Sequence, residues 1–231
     1  MDLTKVWVVI PAYNEESTIG GVIDSLRRGG FSNLVVVDDG STDQTFKTAQ
    51  GKNVIVVSHP LNCGLGAALS TGFEFLRRNK VDQLEAVITF DADGQHQVAD
   101  ALKVVKPILT GRADFVVGSR LVKPASGMPV LRQLGNYLLN FLILLFFGVK
   151  TTDSQSGLRA LSKKALKLIR LNSFGYEVSS EFFKEVSRHK LGYTEVDIAS
   201  IYTSYSLGKI KKQSFSEALY TIRAFLLGNL D

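Results

Sequence analysis

The chain is poor in the residues that build several common kinds of site. It has one cysteine, Cys63, in 231 residues. That excludes an internal disulfide and a zinc site made of cysteines, and it suits a reducing compartment. His59 and His96 lack the i,i+4 or Cys/His spacing of a metal site, so each is read as a satisfied or exposed side chain. No Gly-x-Ser-x-Gly elbow and no Walker loop occurs, which removes acyl transfer and ATP hydrolysis by those routes. The opening "MDLTKVWVVIPAYNEE" lacks a secretory pattern. The longest nearly apolar run, Leu138 to Val149, is broken by Asn140 and falls short of the ~20 residues of a membrane span.

The charge is unevenly distributed. The net charge is +5. Residues 1–115 hold 11 Lys/Arg against 14 Asp/Glu, and residues 116–231 hold 16 against 8. A basic half fits an anionic partner, whether nucleic acid, a phosphorylated ligand or a membrane surface; a merely solvated face fits too.

Five short apolar runs punctuate the first half: "VWVVIPAY" (6–13), "LVVVDDG" (34–40), "VIVVSH" (54–59), "AVITFDAD" (86–93) and "DFVVGSR" (114–120). They are β-branched and continuous, as strands buried on both faces are. Amphipathic stretches at 15–28, 43–50, 65–79 and 97–109 separate them. The alternation predicts right-handed βαβ units, an α/β fold and a mostly parallel sheet flanked by helices. In such sheets ligands bind beyond the carboxyl ends of the strands. Those ends carry Tyr13, Asn14 and Glu15, then Asp38 and Asp39, then Asp91 and Asp93, then Ser119 and Arg120.

The second half predicts a buried or interfacial helix at 132–150, then a short strand and a basic helix within 153–169. A helix over 178–190, a strand over 195–203 and an amphipathic helix over 213–228 follow. No linker or repeat divides the chain, which reads as one domain with a basic, helical extension.

Several motifs admit two readings. Asp91-x-Asp93 at a strand end aims two carboxylates the same way, which suits Mg2+ or Mn2+, with Gln95 able to add a neutral oxygen. It also suits a turn in which an aspartate caps the next helix. Asp39 can accept from a nucleobase or ribose, while Ser41 or Asp43 caps a helix. Gly64-x-Gly66 is a partial dinucleotide fingerprint, but the third glycine is replaced by Leu69 and no acidic strand end follows, so a dinucleotide site is rejected. The glycines instead permit close approach of backbone or ligand. Arg120 and Arg132 are candidate phosphate partners or solvated surface groups.

Taken in order, "VVIPAYNEESTI", "VVVDDGSTD", "NCGLGAALSTG", "DADGQH", "GSR" and "DSQSGLR" resemble glycosyltransferase family 2. They are most similar to its polyprenyl-phosphate glycosyltransferases of the dolichyl-phosphate mannose synthase type. The resemblance implies a nucleotide-diphospho-sugar (GT-A) fold over residues 1–205, with an interfacial helix at 132–150 and a basic amphipathic helix in 206–231. It implies that Pro11, Ala12, Tyr13, Glu15, Asp38, Asp39, Gly66, Asp91 and Ala92 border the nucleotide sugar. Asp91, Asp93 and Gln95 would hold Mg2+ or Mn2+. Arg120, Arg132, Asp153 and Gln155 would serve the reacting centre, and Arg132, Lys209 and Lys211 the acceptor phosphate. Tyr205 and Ile210 stand where relatives carry an arginine and a serine, so lysines there would supply the charge.

The implied reaction is inverting transfer from GDP-mannose, UDP-glucose or UDP-N-acetylglucosamine to a polyprenyl or dolichyl phosphate. A lipid phosphate is largely ionised near neutrality, its second pKa being about 6, and needs little help from a base. The implied setting is the cytoplasmic side of a membrane, peripheral or anchored by a segment beyond this chain, against anionic lipid. Nucleic acid is not among the implied partners, and a homo-oligomer is compatible. The rivals are a soluble family 2 enzyme acting on a saccharide hydroxyl and a non-catalytic nucleotide-sugar binding module.

Overall fold

The computed structural model of the protein describes residues 1–121 and 130–199, with residues 130–133 described by their backbone alone. The element predicted at 213–228, together with Lys209 and Lys211, lies outside the described residues, as does the side chain of Arg132.

The first strands are β1 (Val6–Ala12), β2 (Asn33–Asp38), β3 (Ile55–Ser58), β4 (Ala86–Thr89) and β5 (Phe115–Ser119). Two more, β6 (Arg159–Ser162) and β7 (Tyr193–Asp197), complete a seven-stranded sheet in the order β3-β2-β1-β4-β6-β5-β7. All neighbouring pairs are parallel except those of β6, which runs antiparallel between β4 and β5.

Helices cover both faces. On one side α1 (Ile19–Arg28), α2 (Thr45–Gln50) and α4 (Val98–Leu109) pack on Val8, Ile10, Val36, Ile88 and Val116. On the other, α3 (Leu65–Asn79), α5 (Val130–Phe147), α6 (Lys163–Leu168) and α7 (Val178–Arg188) pack on Val9, Val35, Val37, Val87 and Val117. Alternate residues of each strand feed opposite layers, so both sets of side chains must be apolar. This is why the runs are continuous rather than alternating.

Two predicted boundaries shift. β4 stops at Thr89, so Asp91 and Asp93 stand in the following loop and not on strand positions. The departure lets Gly94 turn the chain at φ +75°, a conformation glycine adopts without penalty. The third strand is four residues long, an edge strand in which Ile55, Val56 and Val57 are half-buried and Ser58 is exposed.

Candidate active site at the carboxyl ends of the strands

The loops leaving β1, β2, β4 and β5 lie at the carboxyl edge of the sheet, where those after β4 and β5 meet the 151–157 segment. Each is held by a polar network that explains an otherwise odd residue choice.

After β1, Tyr13 is exposed and Asn14 adopts φ +53°. Asn14 accepts from the Thr42 N–H (2.9 Å) and donates its own N–H to Ser41 Oγ (3.0 Å). Glu15 is buried, accepts from Thr18 Oγ1 (2.8 Å) and donates its N–H to Thr45 Oγ1 (2.7 Å). Pro11 and Ala12 lie in β1 opposite Val37 and Asp38. Neither Ser41 nor Asp43 is the cap of α2, whose N-cap is Gln44; Asp43, one residue earlier, accepts from the Thr45 N–H (2.9 Å) and Ser41 from Asn14.

After β2, Asp39 is a bracket. Its Oδ1 accepts from the Cys63 N–H (2.9 Å) and His59 Nδ1 (2.7 Å), and its Oδ2 from the Gly64 N–H (2.8 Å). His59 Nε2 in turn is hydrogen-bonded to Thr71 Oγ1 (2.9 Å). Asp39, His59 and Cys63 form a compact group of potential metal ligands among the described residues. The His59 nitrogens and Asp39 Oδ1 are already hydrogen-bonded, so the group serves as an internal tie. Asp38 accepts from Ser58 Oγ (3.0 Å), while its buried Oδ1 has no partner among the described residues.

Gly64 and Gly66 accommodate backbone. The N–H groups of Gly66 and Ala67 donate to the Phe174 carbonyl (2.7 and 3.2 Å), and a Cβ on Gly66 would collide with the Ser173 carbonyl. Among the described contacts Gly66 therefore faces the 173–174 segment. Glu181 and Glu177 hold that segment by accepting the N–H groups of Asn172, Ser173 and Gly175.

After β4 come the two carboxylates. Asp91 Oδ2 lies 3.1 Å from His96 Nε2. Its carboxylate rests on Gly157, where any Cβ would strike both oxygens. Burial pushes the Asp91 carboxyl up. The His96 hydrogen bond and charge, then the Arg159 and Arg120 charges, outweigh this and hold it below the usual carboxylate range. Asp93 is treated differently. Burial and the Asp91 charge push it up to about 6, with Glu15 adding to the rise. Its one described hydrogen bond is from the Gln95 N–H (2.9 Å). Neither carboxylate caps α4, whose N-cap is Gln97. The capping alternative is thus not what these residues do.

After β5, Arg120 is 5 % exposed and forks onto the fully buried Asp153, with Nε at 2.6 Å and a terminal nitrogen at 2.8 Å. Asn136 of α5 adds a hydrogen bond to the same carboxylate (2.8 Å). Burial raises the Asp153 carboxyl and the Arg120 contacts more than reverse this, keeping it below its ordinary range. Gln155 is half-buried and donates to Ser154 Oγ (3.3 Å). Asn140, which interrupts the apolar run, donates to the Thr152 carbonyl (2.7 Å) and accepts from the Ser154 N–H (3.1 Å).

Three contributors were not singled out from sequence. Arg159, completely buried, donates to Ser179 Oγ (2.8 Å) and sits 4.9 Å from the Phe182 ring centre. Burial pushes its guanidinium down to about 10 against the pull of Asp91 and Asp153. Asn136 clamps Asp153, and Glu195 ties Thr151, Thr152 and Tyr193 together. The polar pair Asn136 and Asn140, four apart on an apolar helix, was the signal available for Asn136.

Asp93 is the unbalanced charge. Asp91 has the His96 hydrogen bond and two guanidinium charges near it, while Asp93 has a peptide N–H and the His96 charge, which fall short of its burial and its neighbour's charge. Two hard oxygen donors with a shortage of positive charge fit Mg2+ or Mn2+ shared with a diphosphate.

A family model described as glycosyl transferase family 2 matches residues 7–170. An uncharacterised protein of Methanocaldococcus jannaschii is 46% identical over 211 residues, covering 89% of this chain and 85% of its own. A UDP-N-acetylglucosamine–dolichyl-phosphate N-acetylglucosaminyltransferase of Methanococcus voltae is 39% identical over 227 residues, covering 88% of each chain. Glucosyl-3-phosphoglycerate synthase from Mycobacterium tuberculosis, solved with Mn2+, UDP and phosphoglyceric acid, superposes with a TM-score of 0.71 at 23% identity, over 96% of this chain and 78% of that one.

Proposed function

The chain belongs to glycosyltransferase family 2, and on that footing we propose that it moves a sugar, with inversion, from a uridine-diphosphate sugar to a polyprenyl (dolichyl) phosphate at the cytoplasmic face of a membrane. The observation that carries the reading is Asp93, a carboxylate short of compensating charge two residues from Asp91 at the carboxyl edge of the sheet.

Asp91 and Asp93, with Gln95, would hold Mg2+ or Mn2+, which when bound offsets the charge developing on the departing diphosphate. The remaining work falls to the chain. Asp39 offers an acceptor to the base. Oδ1 already takes two N–H groups and Oδ2 one, so about one lone pair remains on Oδ2. Uracil presents a single ring N–H, whereas guanine presents two parallel donors that need both oxygens. That count supports a uridine donor over GDP-mannose, in line with the printed name of the Methanococcus voltae relative. Arg120, Arg132, Lys209 and Lys211 provide positive charge for donor or acceptor phosphates, with Arg120 set in place by Asp153. Asp153, sealed beneath Arg120, acts here as an orienting group. A phosphate nucleophile needs no base over it.

The lipid assignment rests on α5. Leu134, Tyr137, Leu138, Phe141, Leu144, Leu145 and Phe146 are all exposed. Burying one such side chain is worth roughly 1.5–3 kcal/mol, so a face of seven is costly to leave in water. Among the described residues no helix is long and apolar enough to cross a membrane. The face therefore suits a helix lying in the interface, with nearby basic residues drawn to anionic lipid.

The test incubates the protein with Mg2+ or Mn2+, dolichyl phosphate and each of UDP-N-acetylglucosamine, UDP-glucose and GDP-mannose, all radiolabelled. Label should enter the organic phase from a uridine donor. Label appearing only on free sugars would overturn the lipid acceptor. Nucleotide binding without turnover on any acceptor would leave a binding module.

A further inference from the structure

We propose that His96 is a positioning residue for the acidic pair: its Nε2–H fixes the Asp91 carboxylate so that it faces Asp93 and does not collapse onto the buried Arg159. The proposal rests on the reading that Asp91 and Asp93 bind a divalent cation, and it adds the residue that makes this arrangement hold.

The His96 side chain is 3% exposed. Its ring meets Phe90 edge-on, with centroids 5.6 Å apart at 68°. Nε2 lies 3.1 Å from Asp91 Oδ2, and an ionised carboxylate only accepts, so Nε2 carries the proton of that bond. Nδ1 is buried with no partner among the described residues. A histidine kept for packing has no reason to enclose an unpaired ring nitrogen, because an apolar ring would fill the space without that cost. One kept for its other nitrogen does.

Asp91 needs such a restraint. Gly157 sets no side chain against it, since the carboxylate lies where a Cβ would be. Arg159 attracts it, and Arg159 Nε is itself buried without a partner. A carboxylate released from His96 would gain by turning to that nitrogen, forming an internal ion pair and leaving Asp93 to bind alone. Hydrogen bonds that orient a ligating carboxylate typically matter by about 10–100-fold in metal affinity.

The two amide replacements separate the roles of the ring nitrogens. The glutamine amide reaches about as far as Nε2 and can donate to Asp91, while the asparagine amide reaches only the Nδ1 position. Mn2+ binding to the full chain is read by electron paramagnetic resonance with UDP present, and folding by circular dichroism. His96→Asn should weaken Mn2+ about 10–100-fold, and His96→Gln should restore most of the loss. A histidine 15N spectrum of the metal-free protein should show a proton on His96 Nε2. If folded His96→Gln falls as far as His96→Asn, the donor role is wrong and the ring serves only to pack on Phe90. If Asp93→Asn weakens Mn2+ while His96→Asn does not, the cation reading stands and the His96 proposal falls. If neither variant weakens Mn2+, the cation reading itself fails.

Discussion

Asp153 takes three hydrogen bonds from Arg120, two from the guanidinium at 2.6 and 2.8 Å and one from its backbone N–H at 3.0 Å. The pair is sealed from solvent and joins the end of β5 to the 151–157 segment. Removing one partner of a buried pair leaves an uncompensated charge, which costs about 3–5 kcal/mol. Asp153→Ala should therefore lower stability by that order in urea unfolding. Arg120→Lys should lose less, since the charge remains while the fork does not. The Asp153 carboxyl is held below its unfolded value, so its contribution is present above the ordinary aspartate range and is lost as pH falls through the native value. The stability gap between wild type and Asp153→Asn should shrink on acidification.

Asp93 has the opposite sign. Its native value is raised from 3.8 to about 6, so ionisation opposes folding above that pH, and the penalty disappears below 3.8. In the metal-free protein at pH 7.5, Asp93→Asn should be more stable than wild type by about 1–2 kcal/mol, a discount on the full shift for partial solvent exposure. The advantage should vanish near pH 4 in thermal scans. The same substitution should abolish transfer.

Mn2+ affinity should fall as pH drops through about 6, because protons compete for Asp93. It should rise when UDP is present, since the diphosphate supplies further oxygen ligands. Titration calorimetry with and without UDP checks both, and an affinity indifferent to UDP would count against a shared cation.

Gly157 tests the seat of Asp91. A Cβ there would strike both Asp91 oxygens, while the glycine itself has no left-handed backbone to protect. Gly157→Ala should leave the circular dichroism spectrum intact and weaken Mn2+ binding by about tenfold or more, as displaced ligands do.

The apolar face of α5 tests the membrane reading. Leu138, Phe141 and Leu145 point to solvent, so replacing all three with serine removes no core contact. The triple variant should keep its unfolding temperature within a few degrees, surface changes being worth about 0.5 kcal/mol each. It should also lose flotation with anionic vesicles. Retained flotation would place membrane contact elsewhere.

Much of this was legible from residue order. Continuous β-branched runs revealed doubly covered strands, and acidic or polar residues at their ends located the crevice. The amphipathic stretch at 65–79 matches helix α3, with Gly64 just before its start. The antiparallel insertion of β6 was not legible, since four residues carry no sign of strand direction. Nor was the partner of any charge. Arg120 read as a phosphate partner or a solvated surface group and is forked onto the buried Asp153; His96 read as a satisfied or exposed histidine and is hydrogen-bonded to Asp91.

The sequence by itself determined the α/β class, the family and the edge of the sheet where chemistry gathers, because burial periodicity and motif order are local properties. The tertiary structure alone decided which charges are neutralised and which stand under-compensated. Asp91 and Asp93 are two residues apart and chemically identical. Their environments part because His96 and, from far along the chain, Arg159 and Arg120 gather on the first, while burial and its neighbour's charge outweigh what a peptide N–H and the His96 charge give the second.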